Sequence, residues 1–304
     1  MRRQRGVALI VAMLAVALAV LLVAALLDRG ETSRAQLRDH WRAEQGWQLM
    51  AGLEAWAAEI LREQAARSGG VDALGDPWAQ PMPPVDIPGA RITGRLRDLG
   101  GCFDLNSLAP HGVADEQAIR RFERLLRTLG LDPRLAAEAA DWIDADHEPR
   151  AGGGEDSAYA TLAPGYRVGN RPLAHASELK RLRSMDMRSW QELSPYVCAL
   201  PTPAPLNLNT APWPLWTTLD DAVNENIARR LAREPGSAYG SMESLQLALQ
   251  REGIAADLRG YGLGSTYFLA EAQIEADGIP FAYSSLLQRQ GLAVRVVARM
   301  RGAY

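Results

Sequence analysis

The longest apolar run of the chain lies at its start. From Val7 to Leu27 every residue is apolar, bounded by Arg2, Arg3 and Arg5 on one side and Asp28 on the other. Roughly 21 such residues cross a hydrocarbon core as one helix. Basic residues ahead of a span stay on the cytoplasmic side, so the pattern predicts a single pass with the bulk of the chain beyond the membrane. After Asp28 the pattern stays helical to about Ala66. Leu49, Leu53, Trp56 and Ile60 recur at helical spacing on one face, and Gly69-Gly70 ends it. Residues 76–90, with Pro77, Pro81, Pro83, Pro84 and Pro88, read as an irregular connection. Ala90 to Leu99 alternates as a strand does, and so do Tyr267 to Ile274 and Leu292 to Met300. Between them, from about 110 to 260, the pattern is helical. Ile119, Phe122, Leu126 and Leu129 share one face, Asp132-Pro133 opens another helix, and Val223, Ile227 and Leu231 mark a third.

This order predicts an α+β fold. A long N-terminal helix packs on a small antiparallel sheet, and a large α-helical domain is inserted between strands. The parts fall at 7–27 (membrane), 28–68 (helix beyond it), 69–109 with 263–304 (the α/β domain) and 110–262 (the insert). A short echo runs through the chain. Cys102 to Pro110 resembles Ala204 to Pro212, sharing a Leu-Asn-Ser/Thr core, where Ser or Thr is placed to cap helices.

The net charge of −3 includes the three leader arginines, so the body beyond the membrane is more acidic still. That balance disfavours phosphate backbones and anionic lipid surfaces and suits cations. The only two cysteines, Cys102 and Cys198, form an even pair in an exported chain, where oxidation to a disulfide is expected. The alternative is two buried thiols. Six carboxylates, Asp141, Asp144, Asp146, Glu148, Glu155 and Asp156, crowd one segment around Pro149 and Gly152-Gly153-Gly154. A hard cation such as calcium, which takes six to eight oxygen ligands, would offset their repulsion. Asp141 and Asp144 share a helix face, and the glycines let the chain return with Glu155 and Asp156. The candidate ligands are Asp141, Asp144, Asp146, Glu155 and Asp156. The alternative is a solvated acidic loop neutralised by Arg150 and Arg167.

Catalytic patterns are missing. His40, His111, His147 and His175 show no zinc-ligand spacing, and there is no P-loop, dinucleotide fingerprint or nucleophile elbow. The chain reads as an assembly component, not an enzyme.

Several segments, in order along the chain, resemble the K-type minor pseudopilins of type II secretion. They are the basic leader with Gly6, Gly101-Cys102-Phe103-Asp104-Leu105-Asn106, Asp141-Trp142-Ile143-Asp144-Ala145-Asp146, Glu155-Asp156, Pro195-Tyr196-Val197-Cys198-Ala199-Leu200-Pro201 and Leu206-Asn207-Leu208-Asn209-Thr210-Ala211. The resemblance implies a pilin-like fold, calcium in the periplasmic part, and assembly with I- and J-type minor pseudopilins at the tip of a pseudopilus. It implies a prepilin leader, residues 1–6, cut by prepilin peptidase between Gly6 and Val7; an uncleaved signal anchor accounts for the same residues. Most pilin-like proteins carry Glu at the fifth position after the cut, and here it is Val11. A carboxylate in the bilayer centre costs about 2.5–3.5 kcal/mol unless paired, so an apolar residue suits a subunit with no neighbour ahead of it. The expected location is the inner membrane with the bulk in the periplasm. Exported substrate is a possible contact, and nucleic acid is not expected. The competing reading is a membrane-tethered helix-hairpin-helix DNA-binding protein, drawn from Leu206 to Arg233. That segment lacks a Gly-x-Gly hairpin and sets Asp220 and Asp221 where phosphate would lie.

Overall fold

The computed structural model describes the backbone of residues 4–276 and 278–302, and the side chains of 12–25, 46–275 and 278–302. Helix α1, Gln4–Ser68, is a single element, closed by Gly69 and Gly70 in left-handed backbone (φ 63° and 95°). Gly6, Val7 and Val11 lie outside the described side chains. Met13, Leu14, Val16, Leu18 and Leu21 are exposed along the first half of α1. Among the described residues no helix is long and apolar enough to cross a membrane.

The second half of α1 lies on a five-stranded antiparallel sheet. Its strands are β1 (Met82–Ile87), β2 (Ala90–Asp98), β7 (Tyr267–Ala276), β8 (Ile279–Gln290) and β9 (Ala293–Arg301), in that spatial order. The most buried helix positions are Met50, Leu53, Ala57 and Leu61. The expected stripe of Leu49, Trp56 and Ile60 flanks it, half-buried. The face is thus turned about one residue from the sequence reading, because Glu54 also faces the sheet. Its carboxylate takes Arg299 (2.7 and 2.8 Å) and Ser285 (2.6 Å). Burial raises Glu54, and these two partners more than offset it, so it stays below its ordinary value. Ile92, Leu96, Phe268, Ala270, Ala272, Ile274, Tyr283 and Leu287 supply the sheet side of this core. Gly46 lets Tyr283 approach, since a Cβ there would sit 2.4 Å from its hydroxyl.

Two strands of this sheet were not read from the sequence. β1 occupies part of the segment expected to be irregular. It pairs only with β2, and an edge strand tolerates Pro83 and Pro84 because their missing N–H groups need no partner. β8 was hidden by its buried polar residues, Ser284, Ser285, Gln288 and Arg289, which break the apolar alternation.

Residues 99–266, between β2 and β7, form the helical domain, wider at both ends than the expected 110–262 because β2 ends at Asp98 and β7 begins at Tyr267. It joins the sheet beside the C-terminal end of α1, where Asp72 accepts the Ser265 amide (2.7 Å) and the Arg289 guanidinium (Nη1 2.9 Å). Its elements are β3 (Phe103–Asp104), α2 (Glu116–Thr128), α3 (Leu135–Ile143), α4 (Asp156–Tyr159), α5 (Met187–Leu193) and β4 (Val197–Cys198), followed by β5 (Leu206–Asn207), α6 (Trp213–Trp216), α7 (Glu225–Leu231), α8 (Met242–Arg251) and β6 (Tyr261–Gly262). Ile119, Phe122, Leu125 and Leu126 bury the face of α2. Asp132-Pro133 makes the turn before α3, and its Asp132 carboxylate holds Arg134 (2.7 Å). Asn224 caps α7 through the Ile227 amide. Ser107 and Thr210 do not cap helices as expected; Ser107 donates back to the Asp104 carbonyl (2.5 Å), and Thr210 donates to the Asp98 carboxylate, with the Asn207 carbonyl 3.3 Å away. Cys102 and Cys198 are joined by a disulfide, and Cys198 packs with Leu99, Leu200, Tyr267, Leu269 and Leu286. The bridge therefore lies where the helical domain meets the sheet.

Candidate metal centre

Helix α3 ends at Ile143 and is capped by Asp144, whose amide still bonds the Ala140 carbonyl (2.9 Å). The chain then runs through an exposed turn to Gly152-Gly153-Gly154 and returns under the helix. Gly153 is required there, because a Cβ would lie 2.1 Å from Asp141 Oδ2. The return is fixed from both sides. Asp141 Oδ2 accepts the amides of Arg150 (3.0 Å) and Gly154 (2.8 Å). Arg183 donates to the Gly153 carbonyl and to buried Glu138 (2.8 Å). Ser184 donates to the same Glu138 (2.6 Å).

This return brings Asp144, Asp146 and Glu155 together, with one oxygen of each within 4.8 Å of the others. Asp144 and Glu155 are 1% and 4% exposed, whereas Asp146 is exposed. Both oxygens of Glu155 and Oδ1 of Asp144 are buried without a hydrogen-bond partner. Orphaned buried carboxylate oxygens are costly. Burial first, then the neighbouring carboxylates, pushes Asp144 up to about 6 and Glu155 up to about 7. The C-terminal end of α3 adds its own negative pole. An all-oxygen donor set of this kind fits a hard divalent cation, calcium or magnesium, better than zinc or copper.

Of the five residues expected as ligands, the structure gathers three. Asp141 fixes the loop through Oδ2, which holds two amides, while its Oδ1 is buried without a hydrogen-bond partner, with Arg150 Nε 3.6 Å away. Asp156 points away, accepting the Val168 amide (3.0 Å) with Arg167 at 3.9 Å. His147 contacts Asn170 Nδ2 (2.8 Å), and Asn170 in turn holds the Asp146 carbonyl (2.8 Å) and the Trp142 carbonyl (3.0 Å). Sequence reasoning missed Asn170, Arg183 and Glu138. Asn170 sits in left-handed backbone (φ 42°), a conformation Asn tolerates, but no local pattern marks it.

The helix-hairpin-helix reading of Leu206 to Arg233 finds no phosphate cradle. The connection between α6 and α7 presents Asp221, which binds Arg124 (2.6 Å), while Arg229 and Arg230 pair with Glu225 and Glu252.

The family model described as type II secretion system protein K matches residues 101–202. The chain is 33% identical to type II secretion system protein K of Pseudomonas aeruginosa, covering 99% of this chain and 94% of that protein. It is 32% identical to the protein of the same name from Klebsiella pneumoniae, over 99% and 98%. Among solved structures it resembles a chain of the GspK-GspI-GspJ complex from enterotoxigenic Escherichia coli, with a TM-score of 0.76 and 24% identity, covering 88% of this chain and all of that one.

Proposed function

The chain belongs to the type II secretion system protein K family, and from that premise we propose that it is the minor pseudopilin at the tip of the pseudopilus, assembling with I- and J-type minor pseudopilins to initiate or cap the filament. The observation that carries this reading is the position of the helical domain. It emerges between β2 and β7 at the end of the sheet where α1 terminates, opposite the exposed apolar half of the helix. Stems of neighbouring subunits pack beside α1, and the domain above its end obstructs a subunit adding from that side. The solved complex similar in fold contains GspK, GspI and GspJ, which supports the choice of partners.

The apolar run from Val7 anchors the precursor in the inner membrane, with the folded part in the periplasm. Prepilin peptidase removes residues 1–6 between Gly6 and Val7, and Val11 leaves no carboxylate in the lipid that needs a partner's amine. Asp144, Asp146 and Glu155 hold calcium, which supplies positive charge at the C-terminal end of α3. The role is assembly, with no catalysis. Co-purification tests it: the periplasmic part, residues 30–304, tagged and co-expressed with I- and J-type pseudopilins, retains both through washing in moderate salt. Retention of neither overturns the proposal.

A further inference from the structure

The helical domain contains one motif built twice, and the two copies treat the same helix end differently. In the first, β3 pairs in parallel with β4; in the second, β5 pairs in parallel with β6. Asp104 Oδ1 accepts the Asn106 amide (3.1 Å), and Asn207 Oδ1 accepts the Asn209 amide (3.0 Å). Asn106 binds both backbone groups of Leu173 (2.7 and 3.0 Å) and the Leu200 carbonyl (3.0 Å). Asn209 binds both backbone groups of Tyr239 (2.8 and 3.1 Å) and the Leu263 carbonyl (3.4 Å). Two residues past Leu173 and Tyr239, His175 and Ser241 each cap a helix in a capping box. Leu179 and Leu245 then stand fully buried at matching places.

Within this frame α3 of the first copy corresponds to α7 of the second, each the second α-helix after the opening strand of its copy. α7 reaches Tyr239 through the short segment 232–238, and its end is closed by a fixed cation. Arg233 Nε donates to the Leu231 carbonyl (2.9 Å), and its Nη2 donates to the Arg230 carbonyl (3.3 Å) and to the Tyr239 hydroxyl (2.6 Å). The guanidinium lies 4.2 Å from the Tyr239 ring centre. α3 reaches Leu173 through the long segment 144–172. It has no basic residue in its last turn, and its end is ringed by Asp144, Asp146 and Glu155, with three of their oxygens buried and unpartnered.

We propose that the cation held by Asp144, Asp146 and Glu155 is the counterpart of Arg233, closing in the first copy the joint that a guanidinium closes in the second. This rests on the cation reading above and adds where its effect is confined. The ion orders segment 144–172 and the end of α3. It does not hold up the sheet or the second copy, whose joint carries its own positive charge.

Hydrogen exchange on the full-length protein in detergent tests this, with 1 mM calcium or with chelator. Chelation speeds exchange at least tenfold in peptides covering 142–172, and leaves 225–240 and β7–β9 unchanged. Arg233→Ala in calcium gives the mirror image, fast exchange at 225–240 with 142–172 protected. Arg233→Lys, which keeps charge but cannot span the two carbonyls and Tyr239, deprotects 225–240 to a lesser degree. Loss of protection throughout the chain on chelation overturns the inference while leaving the cation site standing, and so does wild-type protection at 225–240 in both Arg233 variants. Absence of calcium binding by titration calorimetry removes the cation reading itself and this inference with it.

Discussion

Asp104 and Asn207 occupy the same place in the two copies of the helical-domain motif, each accepting the amide two residues on, but only Asn207 uses its second polar atom. Asn207 Nδ2 donates to Ser265 (2.8 Å) and to the Asp72 carbonyl (3.1 Å), whereas Asp104 Oδ2 is buried with no partner. Burial pushes Asp104 up to about 7, and the Leu200 and Asn106 amides only partly counter it.

The native state therefore keeps a proton on Asp104 that the unfolded chain, near the ordinary value of 3.8, has already released. Stability from this group is fully present below pH 3.8 and is lost as pH rises through about 7. Asp104→Asn, the residue type of the second copy, flattens the fall in stability between pH 4 and 7. One proton corresponds to at most about 1.4 kcal/mol per pH unit. Urea unfolding of the periplasmic part across that range measures it, and an unchanged slope contradicts the account.

Glu155→Gln removes one charge from the cluster and keeps its shape. Calcium affinity, read by titration calorimetry, falls at least tenfold. The calcium-free protein melts at a higher temperature than calcium-free wild type, because two carboxylates repel less than three.

Arg289 is almost wholly buried against Asp72. Arg289→Met leaves that carboxylate without its cation in a site where burial already raises it above its ordinary value. Denaturant unfolding shows a loss of about 3–5 kcal/mol. Restoration by Asp72→Asn in the same chain identifies the unpaired charge as the cause.

The disulfide closes a loop with a sequence separation of 96. Replacing both cysteines by Ala lowers stability by about 3–5 kcal/mol in the chain-entropy model. The loss appears in the oxidised protein and vanishes when both proteins are compared in reductant.

Much of this fold was legible because its signals are local. The end of α1 follows from Gly69-Gly70, and β2, β7 and β9 follow from alternating side chains. β8 was not legible, because Ser285, Gln288 and Arg289 are polar residues whose burial depends on Glu54 and Asp72, far away in sequence, and on Tyr267 of the neighbouring strand. The acidic segment was visible from composition, but its internal direction was not. Which carboxylates converge depends on Gly153 passing against Asp141 and on Arg183 fastening the return, and neither contact has a sequence period. The echo between Cys102–Pro110 and Ala204–Pro212 was readable; that Asn106 and Asn209 each anchor a distant backbone segment was not.

The most direct measurement of the central claim is the mass of the assembled complex. The periplasmic part is mixed with an excess of I- and J-type pseudopilins and sized by light scattering after chromatography. The account predicts one assembly with a single copy of this chain beside one I-type and one J-type subunit, whatever the excess. This chain eluting alone in the presence of both, or more than one copy of it in each assembly, contradicts a tip subunit.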